Sequence, residues 1–365
     1  MYSCYFFCIV KNIMDENKIN DKRDSKEFKG ITFSGFKKTE AKKELLNNIL
    51  DRNIEGSNYW CAELICCGSF VELWEIILLV ACKHIYLSNF KLPFYLDKRY
   101  NNFRDIVING YIDNELALRN NIKIRELFAE IITILTLSSK RNAMARIKLH
   151  KDIFDVTNIQ AKLNADHANY CKNCYLKDDP KELNIAINEL CFNLTTKNIL
   201  TSCFWIEWII EFETRCQKKK INCEAERRSF ANVPSKCQKD VIWIVWHCLL
   251  EHSKTQEKYK ENAVKSLLNL FCIRYTNGCK RKRIYLLYFC VFLLIEPVQN
   301  NNKLIQDITI LDKIKSKLHL IYKQIKKNEV SPNTDYLFKD VKQNNLEKSL
   351  SKIEQMNAFN FVPRL

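Results

Sequence analysis

The scarcity of glycine and proline is the feature of this chain that most limits its fold. Each of the two residues occurs only 6 times among 365. All-β folds use both residues in their frequent turns, whereas long helices exclude them from their interiors. Hydrophobic residues make up 47% of the chain, which excludes a largely disordered protein. We therefore expect an all-α protein built as a multi-helix array.

The spacing of apolar residues predicts helices along most of the chain. Ser57 and Asp179 are expected to cap helices at their N-termini, and Gly68 is expected to end one. Ser69 and Glu72 have the spacing of a capping box. The predicted helices cover residues 39–53, 57–67, 69–87, 100–116, 121–138, 180–194, 202–220, 239–252, 256–275, 280–295, 303–327 and 337–355.

A short internal similarity favours two related helical subdomains stacked together. Residues 53–65 and 198–210 share Asn, Ile, Ser, Trp and a final Ile without gaps. A Lys-Glu-Leu precedes each copy, at 43–45 and at 181–183, with seven extra residues in the second copy. If this is a duplication, each half is too small to bury its own apolar face. The alternative is a chance match between aromatic helices.

The expected organisation has four parts. They are an irregular N-terminal arm (1–38), a first helical subdomain (39–165), a second helical subdomain (166–300), and C-terminal helices with a polar tail (301–365). Residues 1–13 are interpreted as an upstream extension or a loosely ordered tail. The longest uncharged apolar run, Ile284 to Ile295, is shorter than the roughly 20 residues of a membrane span, so none is expected.

The formal net charge of +16 favours an anionic partner, either nucleic acid or an acidic protein. The alternative is that a lysine-rich composition makes the charge incidental. The run 280–283 could also be a nuclear import signal or a solvated helix start. Candidate nucleic-acid-binding residues form two clusters, namely Lys218, Lys219, Lys220, Arg227 and Arg228, and Lys280, Arg281, Lys282 and Arg283.

The 17 cysteines are odd in number and many lie within apolar runs, which favours buried, reduced thiols in an intracellular protein. The sharpest metal pattern is His167-x-x-x-Cys171-x-x-Cys174, with Cys191 as a fourth zinc ligand. No second C-x-x-C follows, and the alternative is two incidental thiols. We therefore expect no cofactor, with zinc as the less favoured alternative.

Motifs of common enzymes are absent from the sequence. It contains neither G-x-x-x-x-G-K-[S/T] nor G-x-G-x-x-G, so an ATPase or dinucleotide enzyme is not expected. Glu207 and Glu211 lie one helical turn apart and could hold magnesium or act as acid and base, but a solvated helix face explains them as well. His247 is interpreted as a core or interface histidine. The expected protein is non-enzymatic, with a divergent enzyme as an alternative.

The aromatic stretch near residue 60 carries a local resemblance. The sequence NIEGSNYWCAELICCGSFVELWEIILLVACKHI resembles the helical collar of clamp-loader-related AAA+ ATPases, in which a Tyr-Trp helix, a glycine and an apolar helix follow in this order. The similarity covers residues 45–88, and the motor is missing, so it implies helix packing and no ATPase activity. The expected structural joint consists of Tyr59, Trp60, Gly68 and Trp74, with Phe204 and Trp205 in the second copy.

A broader resemblance concerns the asparagine- and lysine-rich composition together with LRNNIKIRELFAEII, DDPKELNIAINEL and FWIEWIIEFETRCQKKK. These features resemble an uncharacterised protein family of nucleocytoplasmic large DNA viruses, over most of residues 30–300. The resemblance implies a host-cytoplasm, virus-factory or virion setting. The expected function is a scaffold or adaptor in viral genome replication, transcription or packaging. The alternative is a structural virion or assembly protein.

Overall fold

The computed structural model describes residues 17–298, 303–305 and 307–330, and in this part the all-α prediction is confirmed. An isolated bridge joins Ile31 and Lys37 in this part, and no strand forms there. The helices are α1 (Lys38–Leu50), α2 (Ile54–Cys66), α3 (Phe70–Leu79), α4 (Leu92–Ile108), α5 (Ile122–Leu137), α6 (Val156–Gln160), α7 (Asn184–Thr195), α8 (Ile199–Lys218), α9 (Ile242–Ser253), α10 (Lys258–Phe271), α11 (Cys279–Lys282), α12 (Ile284–Ile295) and α13 (Thr309–Lys326).

Most helix predictions are close, and the misses have local causes. The predicted helix 121–138 corresponds to α5 within one residue at each end. The predicted helix 100–116 is eight residues too late, because α4 begins at Leu92 with Pro93 in its first turn. The predicted helix 337–355 lies outside the described residues. None of the described helices has both the length and the apolar character needed to cross a membrane.

The start of α2 corrects the prediction for Ser57. The capping residue is Asn53, whose side chain accepts a hydrogen bond from the Gly56 amide at 3.1 Å. Ser57 lies inside the helix, where its hydroxyl donates to the Ile54 carbonyl and lies 3.1 Å from the Thr136 hydroxyl of α5. The serine therefore joins two packed helices instead of starting one.

The junction between α2 and α3 contains the predicted glycine. Gly68 has a φ of +71°, the left-handed conformation that favours glycine after a helix, so its role as terminator is confirmed. A Cβ at this position would lie 3.2 Å from the Leu116 side chain. The capping box of Ser69 and Glu72 is wrong. Ser69 makes no side-chain cap, and its hydroxyl lies 3.2 Å from the Cys67 sulfur.

The predicted helix 69–87 changes its winding partway. After α3 the chain forms a π-helical turn over Val80–Ile85. In this turn the carbonyl of Lys83 accepts from the Met144 amide at 3.1 Å, and that of His84 accepts from the Arg141 amide at 2.7 Å. The π turn thereby anchors the extended segment that follows α5.

Two helix pairs, α1–α2 and α7–α8, have the same turn 145 residues apart. Arg52 and Lys197 have left-handed φ angles of 59° and 61°. Asn53 and Asn198 follow, and each side chain caps the next helix. The amide of each asparagine also donates to the carbonyl five residues earlier, at 2.9 Å and 2.8 Å. The similarity detected in the sequence therefore marks two locally equivalent helix hairpins.

The match extends through the first helix of each pair at the same offset. Asn48 donates from its side chain to the Glu44 carbonyl at 2.8 Å, and Asn193 donates to the Glu189 carbonyl at 2.7 Å. The predicted alignment of 181–183 with seven extra residues is wrong, because that segment is a separate 3₁₀ turn before α7. Without a gap, the constant offset pairs Glu44 with Glu189.

The predicted aromatic joint is buried unevenly. Trp74 and Trp205 are 2% and 0% exposed, whereas Trp60 is half-buried and meets Phe36 edge-on at 5.1 Å. Tyr59 is also half-buried and donates from its hydroxyl to the buried Glu63 at 3.2 Å. The two halves of the proposed repeat therefore share backbone geometry but not burial of the equivalent tryptophan. Phe204, next to Trp205, is half-buried as well.

The last described helix, α13, packs against helices from the first half of the chain. Helix α13 packs against α2 and α5, and α4 packs against α10. The face of α13 that is inserted includes Tyr322 and Ile325, which are 1% and 0% exposed. The helix therefore belongs by packing to the first predicted subdomain, although 184 residues separate its start from Arg125 of α5.

The described part of the N-terminal arm is irregular but fixed in place. The guanidinium of Arg119 donates to the Asp21 carbonyl at 2.9 Å, and that of Arg125 donates to the Asn17 carbonyl at 3.3 Å. Arg125 also lies over the Tyr322 ring, 3.8 Å from its centroid. The arm, α5 and α13 therefore meet around one buried arginine.

Candidate functional site

The nine cations predicted to bind nucleic acid separate into buried and exposed groups. Arg228, Lys280 and Arg283 are 3%, 5% and 2% exposed, and each contacts a carboxylate. A buried and paired cation is not available to a phosphate. The prediction is therefore wrong for these three residues, which stabilise the fold instead.

Lys280 is the centre of a buried polar network. Its amine donates to both oxygens of Asp240 at 2.8 Å and to Glu213 of α8 at 2.6 Å. The Tyr275 hydroxyl donates to Asp240 at 2.9 Å. Burial, together with the neighbouring Asp240 charge, raises the pKa of Glu213. The lysine thus ties α8, α11 and the segment before α9 together.

Arg283 has an equally enclosed position. Its guanidinium donates to the carbonyls of Phe271 and Ile273 at 2.7 Å and 2.6 Å, and to Glu75 of α3 at 3.0 Å. The run Lys-Arg-Lys-Arg is therefore buried at its two ends and exposed in its middle. Its first and last members are internal, while Arg281 and Lys282 are exposed.

The exposed cations of the two clusters come close along the second half of α8. Arg281 donates to Glu211 and to the Thr214 hydroxyl, both at 2.7 Å. Glu211 lies seven residues, or about 10 Å, before Lys218 on the same helix. Two sequence-distant clusters therefore share one region. We call this region the basic surface, and it consists of Lys218, Lys219, Lys220, Arg227, Arg281 and Lys282.

Backbone pairing positions Arg227 beside this region. The Ala225 amide donates to the Lys239 carbonyl at 2.8 Å, and the Arg228 amide donates to the Gln238 carbonyl at 3.1 Å. Arg227 itself donates to the Gln238 side chain at 2.6 Å. Because Asp240 follows directly and binds Lys280, this loop is fixed against α11.

The two carboxylates considered for catalysis have separate structural partners. Glu207 is 4% exposed and accepts two hydrogen bonds from Arg146, at 2.7 Å and 2.9 Å. The Tyr288 hydroxyl donates to the same carboxylate at 3.0 Å. Glu211 pairs with Arg281, and His247 lies 3.7 Å from Glu251. These glutamates therefore do not converge on one reacting position.

A second candidate site is a group of three buried cysteines. The sulfurs of Cys174, Cys191 and Cys248 all lie within 4.8 Å of one another. Cys174 lies in the hydrogen-bonded turn that begins at Cys171, Cys191 lies in α7, and Cys248 lies in α9. We call these three residues the cysteine cluster. Among the described residues, all cysteines are free thiols.

The three thiols of the cysteine cluster differ in acidity. The thiols of Cys191 and Cys248 form hydrogen bonds with the Cys174 sulfur, and this pairing strongly lowers the pKa of Cys174. The positive charge of Arg228 acts in the same direction. The same pairing raises the pKa of Cys191 and of Cys248 well above that of a free thiol.

Arg228 and Asp179 hold the turn that carries Cys174. The Arg228 guanidinium donates to the Cys174 carbonyl at 3.1 Å and to Asp179 at 2.6 Å, and both side chains are buried. Asp179 also accepts from the amides of Leu176 and Glu226, at 2.8 Å and 2.9 Å. The predicted N-cap role of Asp179 is therefore wrong. Its side chain joins two loops.

The structure revises the metal pattern found in the sequence. His167 is not part of the cluster. Its ring is half exposed, stacks on Tyr170 at 4.3 Å, and accepts from the Asn169 amide at 3.3 Å. Cys171 is buried but lies outside the group of three. Cys248 was missed, because a cysteine within the apolar stretch of α9 is indistinguishable from a packing residue.

No family model matches this chain, and neither the curated proteins nor the solved structures include one that is significantly similar to it. Function therefore has to be inferred from the basic surface and the cysteine cluster.

Proposed function

We propose that the protein is a non-enzymatic helical scaffold that binds nucleic acid through the basic surface. The observation that carries this proposal is the meeting of two sequence-distant basic clusters beside α8, through the contacts of Arg281 with Glu211 and Thr214. Five of the six cations are exposed and have no carboxylate of another described residue within 4 Å. Such cations are available to phosphates.

The buried cations support the proposal by making the surface rigid. Arg228 holds the loop that carries Arg227, and Lys280 holds the turn that carries Arg281 and Lys282. Cations held on a fixed frame lose little conformational freedom on binding, so more of the electrostatic attraction is retained as affinity. Binding is expected to depend on phosphates and to be largely independent of sequence.

The setting of this activity rests on the resemblance to the large DNA virus family. We assign the scaffold to viral genome replication, transcription or packaging, in the host cytoplasm or the virus factory. A structural virion or assembly protein remains the rival, and the binding experiment separates the two.

The test measures DNA affinity by fluorescence anisotropy at several salt concentrations. The variant Lys218→Gln/Lys219→Gln/Lys220→Gln removes three charges from the basic surface. Its control, Lys313→Gln/Lys317→Gln/Lys323→Gln, removes three exposed charges from α13. We expect the first variant to bind DNA at least about tenfold more weakly. Its salt slope should become less steep by roughly 0.9 for each duplex phosphate that the protein no longer neutralises, while the control stays near wild type.

Two outcomes would count against the proposal. Equal losses of affinity in both variants would mean that net charge, and not the basic surface, attracts DNA. Absence of salt-dependent binding in the wild-type protein near physiological ionic strength would favour the structural assembly role, in which the positive charge is incidental.

A further inference from the structure

We propose that the cysteine cluster binds a zinc ion, with Cys174, Cys191 and Cys248 as thiolate ligands and His252 as the fourth ligand. This site is independent of the basic surface. It joins a turn and α7, which are near each other in the sequence, to the distant helix α9.

The spacing of the three sulfurs fits a tetrahedral zinc site. With Zn–S bonds of about 2.3 Å, neighbouring sulfurs in a tetrahedron lie about 3.8 Å apart. The observed sulfurs all lie within 4.8 Å of one another, so only a small contraction is required. Three thiols that merely fill a core have no reason to converge on one point, since cysteine packs as a small apolar residue.

His252 is assigned as the fourth ligand from its place on α9, although its ring nitrogens do not all lie within 4.8 Å of the three sulfurs, so its side chain has to turn toward them when zinc binds. It follows Cys248 by four residues on α9, so the two side chains share a helix face. A neutral imidazole is a common fourth ligand of zinc beside cysteine thiolates. Its ring has no hydrogen bond to another described residue, in contrast to the half-exposed His167.

The surroundings suit a bound metal. A zinc ion with three thiolates and a neutral imidazole carries one net negative charge. The buried Arg228 places a positive charge nearby, because its guanidinium contacts the turn that carries Cys174. That arginine also donates to the Cys174 carbonyl, so it orients a ligand through the backbone, as outer groups do around metal sites. The closed, buried position is that of a structural zinc, which has no open coordination site for catalysis.

The first test is metal content and coordination in the full-length protein. Protein prepared under reducing conditions without chelator should contain about one zinc per chain by elemental analysis. Replacement with Co²⁺ should give the visible absorption of a tetrahedral site with thiolate charge transfer. Removal of zinc with a strong chelator should lower the Tm, and added zinc should restore it.

Single substitutions assign the ligands. Cys191→Ala and Cys248→Ala should abolish stoichiometric zinc, whereas Cys61→Ala, at an equally buried cysteine of α2, should retain it. His252→Ala should weaken zinc binding at least tenfold and alter the Co²⁺ spectrum, while His167→Ala leaves both unchanged. These readouts do not require that a variant be as stable as wild type.

Several results would overturn the proposal. Wild-type protein that neither contains zinc nor takes up Co²⁺ under reducing conditions would show that the thiols only pack together. Loss of zinc in the Cys61 control would mean that unfolding, and not ligand removal, releases the metal. A His252→Ala protein with unchanged affinity and spectrum would remove His252 from the ligand set.

Discussion

At the residue scale, the sign of a charge says little about where it lies. In the run 280–283, Lys280 and Arg283 are internal while the two residues between them are exposed. The internal pair supplies the positive charge for Glu213, Asp240 and Glu75, which are buried or partly buried carboxylates. Removing one partner of such a pair is costly because the other charge stays buried.

Replacing Lys280 with methionine tests this role. The variant Lys280→Met leaves Glu213 and Asp240 facing each other without a cation, so we expect a loss of about 3–5 kcal/mol in the free energy of unfolding. Its matched control, Lys282→Met, removes an exposed charge two residues away and should change stability by less than about 0.5 kcal/mol. Urea unfolding measures both. A similar small effect in the two variants would contradict the buried network.

The pH dependence of the same pair gives an independent check. The pKa of Glu213 is raised in the folded protein by burial and by Asp240, so the folded state binds a proton more readily than the unfolded state. Stability linked to Glu213 is therefore greatest below its unfolded pKa and falls as pH rises through the folded pKa. Without Lys280 this pKa should rise further. The deficit of Lys280→Met should thus shrink on acidification from neutral pH, and a constant deficit would contradict the assignment.

At the element scale, the two hairpins show how equal local sequence gives equal backbone but unequal packing. Asn53 and Asn198 cap their helices in the same way, because this conformation depends on residues within one turn. Burial depends on what packs from elsewhere. Trp60 meets the N-terminal arm at the surface, whereas Trp205 lies 5.9 Å from Trp208 within the core.

The equivalent tryptophans should therefore differ in their contribution to stability. Trp205→Ala removes a fully buried ring and should cost about 3–5 kcal/mol. Trp60→Ala, with part of its ring already in water, should cost no more than about half of that. Thermal or urea unfolding of the two variants compares the same substitution at corresponding positions. A larger loss for Trp60 would contradict the observed burial.

The same contrast explains what the sequence could and could not predict. Helix α5 was predicted to within one residue, because apolar spacing and a clear start are both local signals. The cap was expected at Ser57 and lies at Asn53; both residue types suit that role, and only the hydrogen bonds distinguish them. Cys248 was missed because its partner Cys191 is 57 residues away in the chain. Contacts between distant segments leave no periodic pattern.

At the scale of the whole molecule, the two ends of the described chain contact each other beside the first half of the helices. The Val330 amide donates to Asp21 at 2.8 Å, and Glu329 accepts from the Asn20 amide at 2.8 Å. Arg125 stabilises this contact, because its buried guanidinium donates to the Asn17 carbonyl of the arm and lies over the Tyr322 ring of α13. Helix α13 and the described part of the N-terminal arm therefore pack together as parts of one fold.

Tyr322 is the residue through which this contact can be tested. Its ring is 1% exposed and covers Arg125 at 3.8 Å, so Tyr322→Ala should cost about 3–5 kcal/mol and loosen the arm. Limited proteolysis should then cut between residues 17 and 36 at least several-fold faster than in wild type. Leu320→Ala, on the exposed face of the same helix, should change the free energy of unfolding by less than about 0.5 kcal/mol. It should also leave the rate of cleavage in the arm as in wild type. If Tyr322→Ala lowered stability without faster cleavage of the arm, then α13 would pack on the core without holding the N-terminus in place.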